Sequence, residues 1–211
     1  MPHLRRIKRM EILPYEPAMA ERLTTVYNSA IRGVPHCYPV STTVLTTALE
    51  EDGGLRERQV LVAIESQSIV GFAHVGVGFR ERDESPERGL IQFLCYAPGH
   101  RRAGQALLHA AEDHVRAHGM CQLVAFHQRY RYPFYHLQNA YLSDRLGQVA
   151  ALLGYNGYRR VAGEVFLDWP NYAPLEPPPA GVPAEMTVEW VPGRGARPGL
   201  LVRARQGERD V

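Results

Sequence analysis

A chain of 211 residues and 23.7 kDa, 45% of it apolar, is long enough for one large domain, or one domain with an appendage, around a substantial core. A formal charge of +2, with Lys8 the only lysine and arginines spread along the whole chain, argues against nucleic acid or an anionic membrane surface as the main partner. Three irregularly spaced cysteines, Cys37, Cys95 and Cys121, argue against a disulfide framework or zinc site, and the absence of a long apolar window argues against a membrane span.

The first element is a strand over Leu4–Tyr15, stopped by Pro14. Met19, Leu23, Val26, Tyr27 and Ile31 recur at helical spacing and predict a helix over Glu16–Ile31, which Gly33-Val34-Pro35 ends. Ser41 reads as the N-cap of a second helix running to Leu49, closed by Gly53-Gly54. Gln59–Glu65 and Ser68–Phe79 are two strands joined through Ser66-Gln67, a hairpin by spacing. The charged segment Arg80–Arg88 is a solvated loop.

Leu90–Tyr96 is an apolar, β-favouring run that reads as a buried fourth strand, ended by Pro98. From Ala103 to His118 the pattern becomes helical, with Leu108, Ala111 and Val115 on one side and Glu112, Asp113 and Arg116 on the other. A fifth strand follows over Gln122–His127. One helix or two short ones follow, with Ser143-Asp144 as an N-cap and a buried stripe of Leu146, Val149, Ala150 and Leu153 running to Gly154, and Tyr158–Leu167 is a sixth strand. Half of the 16 prolines fall between Pro170 and Pro198, with Pro177-Pro178-Pro179 a stiff linker. Beyond it, Met186–Val191 and Leu200–Arg205 are short strand-like pieces.

Between the fourth strand and the third helix, Arg101-Arg102-Ala103-Gly104-Gln105-Ala106 sets two cations and small residues on a helix start. There the backbone amides lack internal partners and the dipole is positive, an arrangement that can cradle a phosphate. Neither a P-loop nor a dinucleotide Gly-x-Gly-x-x-Gly pattern is present. What is present resembles motif A of the GNAT superfamily of N-acetyltransferases, Arg/Gln-x-x-Gly-x-Gly/Ala, with Arg101, Gly104 and Ala106 in its fixed positions and Pro98 upstream. Ala150–Tyr158 resembles the same family's motif B, and the order of elements is similar from about Ile7 to Asp168.

That resemblance implies an α/β fold: a mixed, mostly antiparallel sheet splayed at the fourth and fifth strands and flanked by helices. Residues 1–169 would form an acyl-CoA-binding domain, and 170–211 a linker with a β appendage. The appendage would dock on the main sheet, pair with a second copy in a homodimer, or begin a second unit of the same kind. The implied activity is direct transfer of an acetyl group from acetyl-CoA to a small-molecule primary amine, without metal, in the cytoplasm; the alternative is a non-catalytic acyl-CoA-binding module or a structural half of an assembly. By the same resemblance, backbone amides from Arg102 through Ala103, Gly104 and Gln105 to Ala106 would bind the pyrophosphate, with Arg101 and Arg102 adding charge. Cys95 and Tyr96 would pair with the pantetheine arm.

The chain departs from the family at two catalytic positions. Gln92 stands where many members carry a basic glutamate, and Leu153 where many carry an acidic tyrosine. The aromatic connection Phe126–Tyr141 supplies substitutes: Tyr135 or Tyr141 as acid, and His127 or His136 as base. His114 and His118 lie one helical turn apart but lack a third ligand, and Cys95 sits in an apolar strand that favours an inert thiol.

Overall fold

The structure is a computed structural model that describes residues 10–35, 37–50, 55–78, 88–127, 130, 132–135, 141–163, 185–191, 199–206 and 209–210. The chain forms two compact units, Met1–Val161 and Ala162–Val211. In the first, the elements are β1 (Met10–Pro14), a 3-10 turn (Pro17–Met19), α1 (Ala20–Ala30), α2 (Thr42–Glu50), β2 (Leu55–Glu65), β3 (Ser68–Gly78), β4 (Arg88–Tyr96), α3 (Arg101–Ala117), β5 (Leu123–Ala125) and α4 (Gly147–Tyr155). The five strands lie in the order β1-β2-β3-β4-β5. Neighbours are antiparallel except β4 and β5, which run parallel. This is the mixed, helix-flanked sheet that the sequence predicts.

Helices cover both faces of the sheet, which is why β3 is buried at every position from Ile69 to Gly78 and reads as a continuous apolar run. Tyr27 of α1 packs on Phe93, with ring centroids 5.5 Å apart. Three residues on, and so on the other face of the pleat, the ring of Tyr96 lies against Gly104 of α3. Phe93 is the centre of the core: Phe72, Phe126, Tyr132 and Tyr135 surround it at 5.7, 5.7, 5.3 and 5.1 Å. Each such ring pair contributes about 0.5–1.5 kcal/mol beyond the area it buries. Much of the aromatic connection after β5 is therefore core.

The local signals that set the elements are visible. Ser41 Oγ accepts a hydrogen bond from the Val44 amide at 3.3 Å, the N-cap expected of α2. Ser66 and Gln67 both take positive φ, 51° and 72°, the backbone that a two-residue hairpin between right-twisted strands demands. Several boundaries differ from the sequence reading. The helix expected over Glu16–Ile31 opens as a 3-10 turn over Pro17–Met19, with Pro17 at a first-turn position where its missing amide costs no hydrogen bond. β2 begins at Leu55 and crosses an irregularity between Arg56 and Gln59 where Glu57 has φ 47°. β5 keeps only three residues, and α4 starts at Gly147, since Ser143 instead closes a turn onto the Arg145 amide at 3.3 Å. Tyr158–Gly163, the described part of the predicted sixth strand, is not a strand; its remainder and the loop over 80–87 lie outside the described residues.

The second unit is a three-stranded antiparallel sheet of β6 (Glu185–Val191), β7 (Gly199–Gln206) and β8 (Arg209–Asp210). The two strand-like pieces of the tail thus pair with each other, from Glu185 opposite Arg205 to Val191 opposite Gly199.

Candidate active site

β5 pairs with β4 only from Gly89 to Ile91. The last link is the Phe126 amide donating to the Ile91 carbonyl at 2.8 Å, and Phe126 then takes φ 57°, which turns the chain off the strand line. The sheet opens at that point. On β3, His74 faces Phe93 and Val75 faces Ile91, so Gln92 is the extra residue of a β-bulge at the apex of the opening.

Backbone direction decides which groups border the gap. The Ala97 amide donates to the Val70 carbonyl at 2.7 Å, and groups alternate along a strand, so Phe93, Cys95 and Ala97 turn their main chain toward β3. Leu94 and Tyr96 turn theirs toward the gap. Consistent with this, the Tyr96 carbonyl accepts from Gln148 Nε2 of α4 at 3.4 Å. Tyr96 is where the sequence expected a gap-edge residue, whereas Leu94 rather than Cys95 is the other. The Cys95 side chain is fully buried, and burial pushes its thiol up, out of reach of ionisation at neutral pH.

α3 starts at Arg101, two residues before the predicted Ala103. The turn into it uses Pro98 for a fixed φ and Gly99 at φ 85°, closed by the His100 amide on the Ala97 carbonyl at 3.1 Å. No side chain caps the helix. The His100 carbonyl accepts from the Ala103 and Gly104 amides at 2.9 and 3.2 Å, which leaves the Arg101 and Arg102 amides without an acceptor among the described residues. Those two, rather than the run from Arg102 to Ala106, are the amides open to an anion. His100 is itself anchored, Nδ1 lying 2.7 Å from Glu65 Oε2 of β2.

Three motif residues have structural partners that the sequence concealed. A Cβ on Gly104 would sit 2.5 Å from the Tyr96 ring, so this glycine admits an aromatic side chain. That ring is held in turn by its hydroxyl donating to the Gln148 carbonyl at 2.8 Å. Gln105 exchanges two hydrogen bonds with Asn156 at the end of α4, at 2.7 and 3.1 Å. The Arg101 guanidinium stands 4.9 Å over the Tyr155 ring. The helix start is thereby bolted to α4 while its first two amides stay available.

Of the acid and base candidates, Tyr135 is 2% exposed; its hydroxyl accepts from the Ser143 amide at 3.1 Å and donates to the Tyr141 carbonyl at 3.4 Å. Burial raises its pKa, so it stays a neutral tether between the core and the start of the α4 approach. Tyr141, held by that tether, is half-buried. His127 rests beside Tyr130 at 5.6 Å, and His136 lies outside the described residues. Gln92 is buried, with Oε1 lacking a partner among the described residues, and Leu153 packs in the core. His114 Nε2 bonds the Glu57 carbonyl at 2.5 Å and His118 Nδ1 the His114 carbonyl at 2.8 Å. Among the described residues no three His, Cys, Asp or Glu gather as a metal would need. No helix among them is long and apolar enough to cross a membrane.

Sequence reasoning missed His74, a 2% exposed histidine in mid-β3 whose Nδ1 lies 3.0 Å from the Tyr132 hydroxyl. Burial first, and the charge of Arg58 second, drive its pKa down to about 3. The only available signal was one ionisable residue in an otherwise apolar run.

Solved structures with this arrangement share the fold at low identity. A GCN5-related glucosamine N-acetyltransferase region of a fungal multi-domain GH3 β-N-acetylglucosaminidase matches with TM-score 0.55 and 19% identity, over 72% of this chain and 17% of that one. The aminoglycoside 6'-N-acetyltransferase AAC(6')-Iy, in complex with CoA, matches with TM-score 0.54 and 12% identity over 79% of this chain and 99% of its own. AAC(6')-Ih from Acinetobacter baumannii matches with TM-score 0.51 and 12% identity over 76% and 98%. No curated protein matches the sequence. Residues 23–138, more than half of the chain, match the Acetyltransferase (GNAT) family, so with its splayed β4–β5 pair and uncapped α3 the chain belongs to the GNAT acetyltransferase family.

Proposed function

We propose that the protein moves an acetyl group from acetyl-CoA directly to a primary amine. The observation that carries this reading is one juxtaposition: the edge of β4 at Leu94 and Tyr96, without a strand partner among the described residues, runs straight into the uncapped start of α3 at Arg101 and Arg102. An extended amide-bearing arm finds strand-like partners on the first. A diphosphate finds free amides, a helix dipole and two guanidiniums on the second. These residues fit acetyl-CoA, which when bound supplies an acyl group activated as a thioester.

The chain's own part is chiefly positioning, which can be worth about 7–11 kcal/mol. In the transfer, the amine nitrogen bonds the acyl carbon, the carbon–sulfur bond breaks, the nitrogen loses a proton and the thiolate gains one. Gln92 can orient the amine by hydrogen bonding but takes no proton, so the amine's proton leaves to water. Tyr141 is the proposed proton donor to sulfur. The buried, protonated Cys95 thiol supports direct transfer over an acyl-enzyme route.

Gln92 and Leu153, in the positions of the family's base and acid, favour a second reading, a non-catalytic acyl-CoA-binding module. Release of free thiol from acetyl-CoA across a panel of amines separates the two. Turnover that saturates with amine is expected; acetyl-CoA binding with no thiol release for any amine would establish the module.

A further inference from the structure

An open cleft of about 270 Å³ lies on the other side of β4 from the splayed edge, lined by Tyr15 after β1, Glu50 at the end of α2, Arg58 and Gln59 on β2 and His74 on β3. His74 is paired in register with Phe93, next to the bulged Gln92, so the cleft backs onto the apex of the opening one strand away. Two polar groups of its lining are buried without a partner among the described residues: Tyr15 Oη and His74 Nε2. Orphaned polar groups of this kind cost free energy and call for a ligand or a structural reason.

The hydrogen-bond sense at His74 follows from its neighbour. Tyr132 is 2% exposed, and the one hydrogen-bond partner its hydroxyl has among the described residues is His74 Nδ1 at 3.0 Å. If Nδ1 carried the proton, the phenolic hydrogen would be left with no acceptor. The favoured arrangement has Tyr132 donating to Nδ1, which puts the imidazole proton on Nε2. His74 then presents an N–H donor rather than a base. Arg58 adds a cation whose charge is felt at His74 and whose guanidinium also donates to the Glu50 carbonyl. Glu50, exposed at the rim, is the anionic side chain of the lining.

We infer that this cleft binds a carboxylate of the acceptor, so that the acceptor is an amine that also carries a carboxylate, such as an α- or ω-amino acid. Each orphan can donate a hydrogen bond and the cation beside them is a guanidinium, a set that matches carboxylate oxygens. That the carboxylate belongs to the acetyl acceptor rests on the transferase reading; the carboxylate site itself does not.

The test is calorimetric titration of the full chain with α- and ω-amino acids, each set against the amine left when its carboxylate is removed. Carboxylated ligands are expected to bind about tenfold or more tightly than their partners. Arg58→Gln, an exposed position, is expected to erase that preference, and Tyr15→Phe to reduce it, with thermal melting confirming that both variants fold. Equal binding with and without the carboxylate, no binding by any member, or a preference untouched in both variants overturns the inference. Thiol release on the same panel separates the two ideas: turnover indifferent to the carboxylate removes the subsite and keeps the transferase. Carboxylate preference in binding without turnover keeps the subsite and removes the transferase.

Discussion

Two tyrosines six residues apart divide structural from chemical work. Tyr135 spends both its lone pair and its proton on the backbone at Ser143 and Tyr141, so Tyr135→Phe strands a buried amide and should cost about 1–3 kcal/mol. Tyr141→Phe should leave stability within about 0.5 kcal/mol but lower kcat about a hundredfold or more, if its hydroxyl protonates the leaving sulfur. Denaturant melts beside steady-state thiol release check the pair; equal effects on both readouts in both variants would remove Tyr141 from the chemistry. His74 makes a pH-dependent contribution whose sign is set by burial. Unfolded, its imidazole takes up a proton below the ordinary value of 6.5, whereas folded it stays neutral until about 3. Its contribution is therefore complete above about pH 6.5 and is lost as pH falls, by up to about 1.4 kcal/mol per pH unit down to about 3. Replacing His74 with Gln should flatten the acid limb of the stability profile measured by urea unfolding at a series of pH values.

At the scale of elements, α3 is held by packing at one face and left open at its start. Gly104→Ala drives a methyl into a Tyr96 ring that its own hydroxyl bond prevents from swinging away, so a loss of about 1–3 kcal/mol is expected. Adding Tyr96→Leu should recover part of that loss in a double-mutant cycle, which a glycine needed only for phosphate approach would not show. Arg102→Ala, exposed and remote from the core, should leave folding unchanged while weakening acetyl-CoA about tenfold, with a shallower salt dependence. Binding measured at two ionic strengths decides it.

For the whole molecule, ligand and fold are linked. Acetyl-CoA at about 100 times its dissociation constant should stabilise the chain by about 2.7 kcal/mol, read as a rise in melting temperature that Arg102→Ala diminishes at equal ligand. No rise would remove the cofactor assignment. The architecture was legible in advance because its signals are local: strand runs bounded by Pro14 and Pro98, the Ser41 cap, the helical stripe of Leu108, Ala111 and Val115. The short β5 was not, because Phe126 leaves the strand to pack on Phe93, a contact made across the sheet. Nor was the bond from the Gln105 side chain to Asn156, 51 positions away, which joins the start of α3 to the end of α4.

Sequence by itself determined the order of elements from β1 to α4, since turn residues and near-neighbour spacing carry that information, and its resemblance to the family motif at Arg101–Ala106 pointed to the family. Only the tertiary structure decided that Leu94 and Tyr96 border the gap, that two amides of α3 stay open, and that His74 is buried within reach of the Arg58 charge. Hydrogen-bond sense, burial and the identity of a partner depend on which distant segments come together, and no window along the chain contains both halves of such a pair.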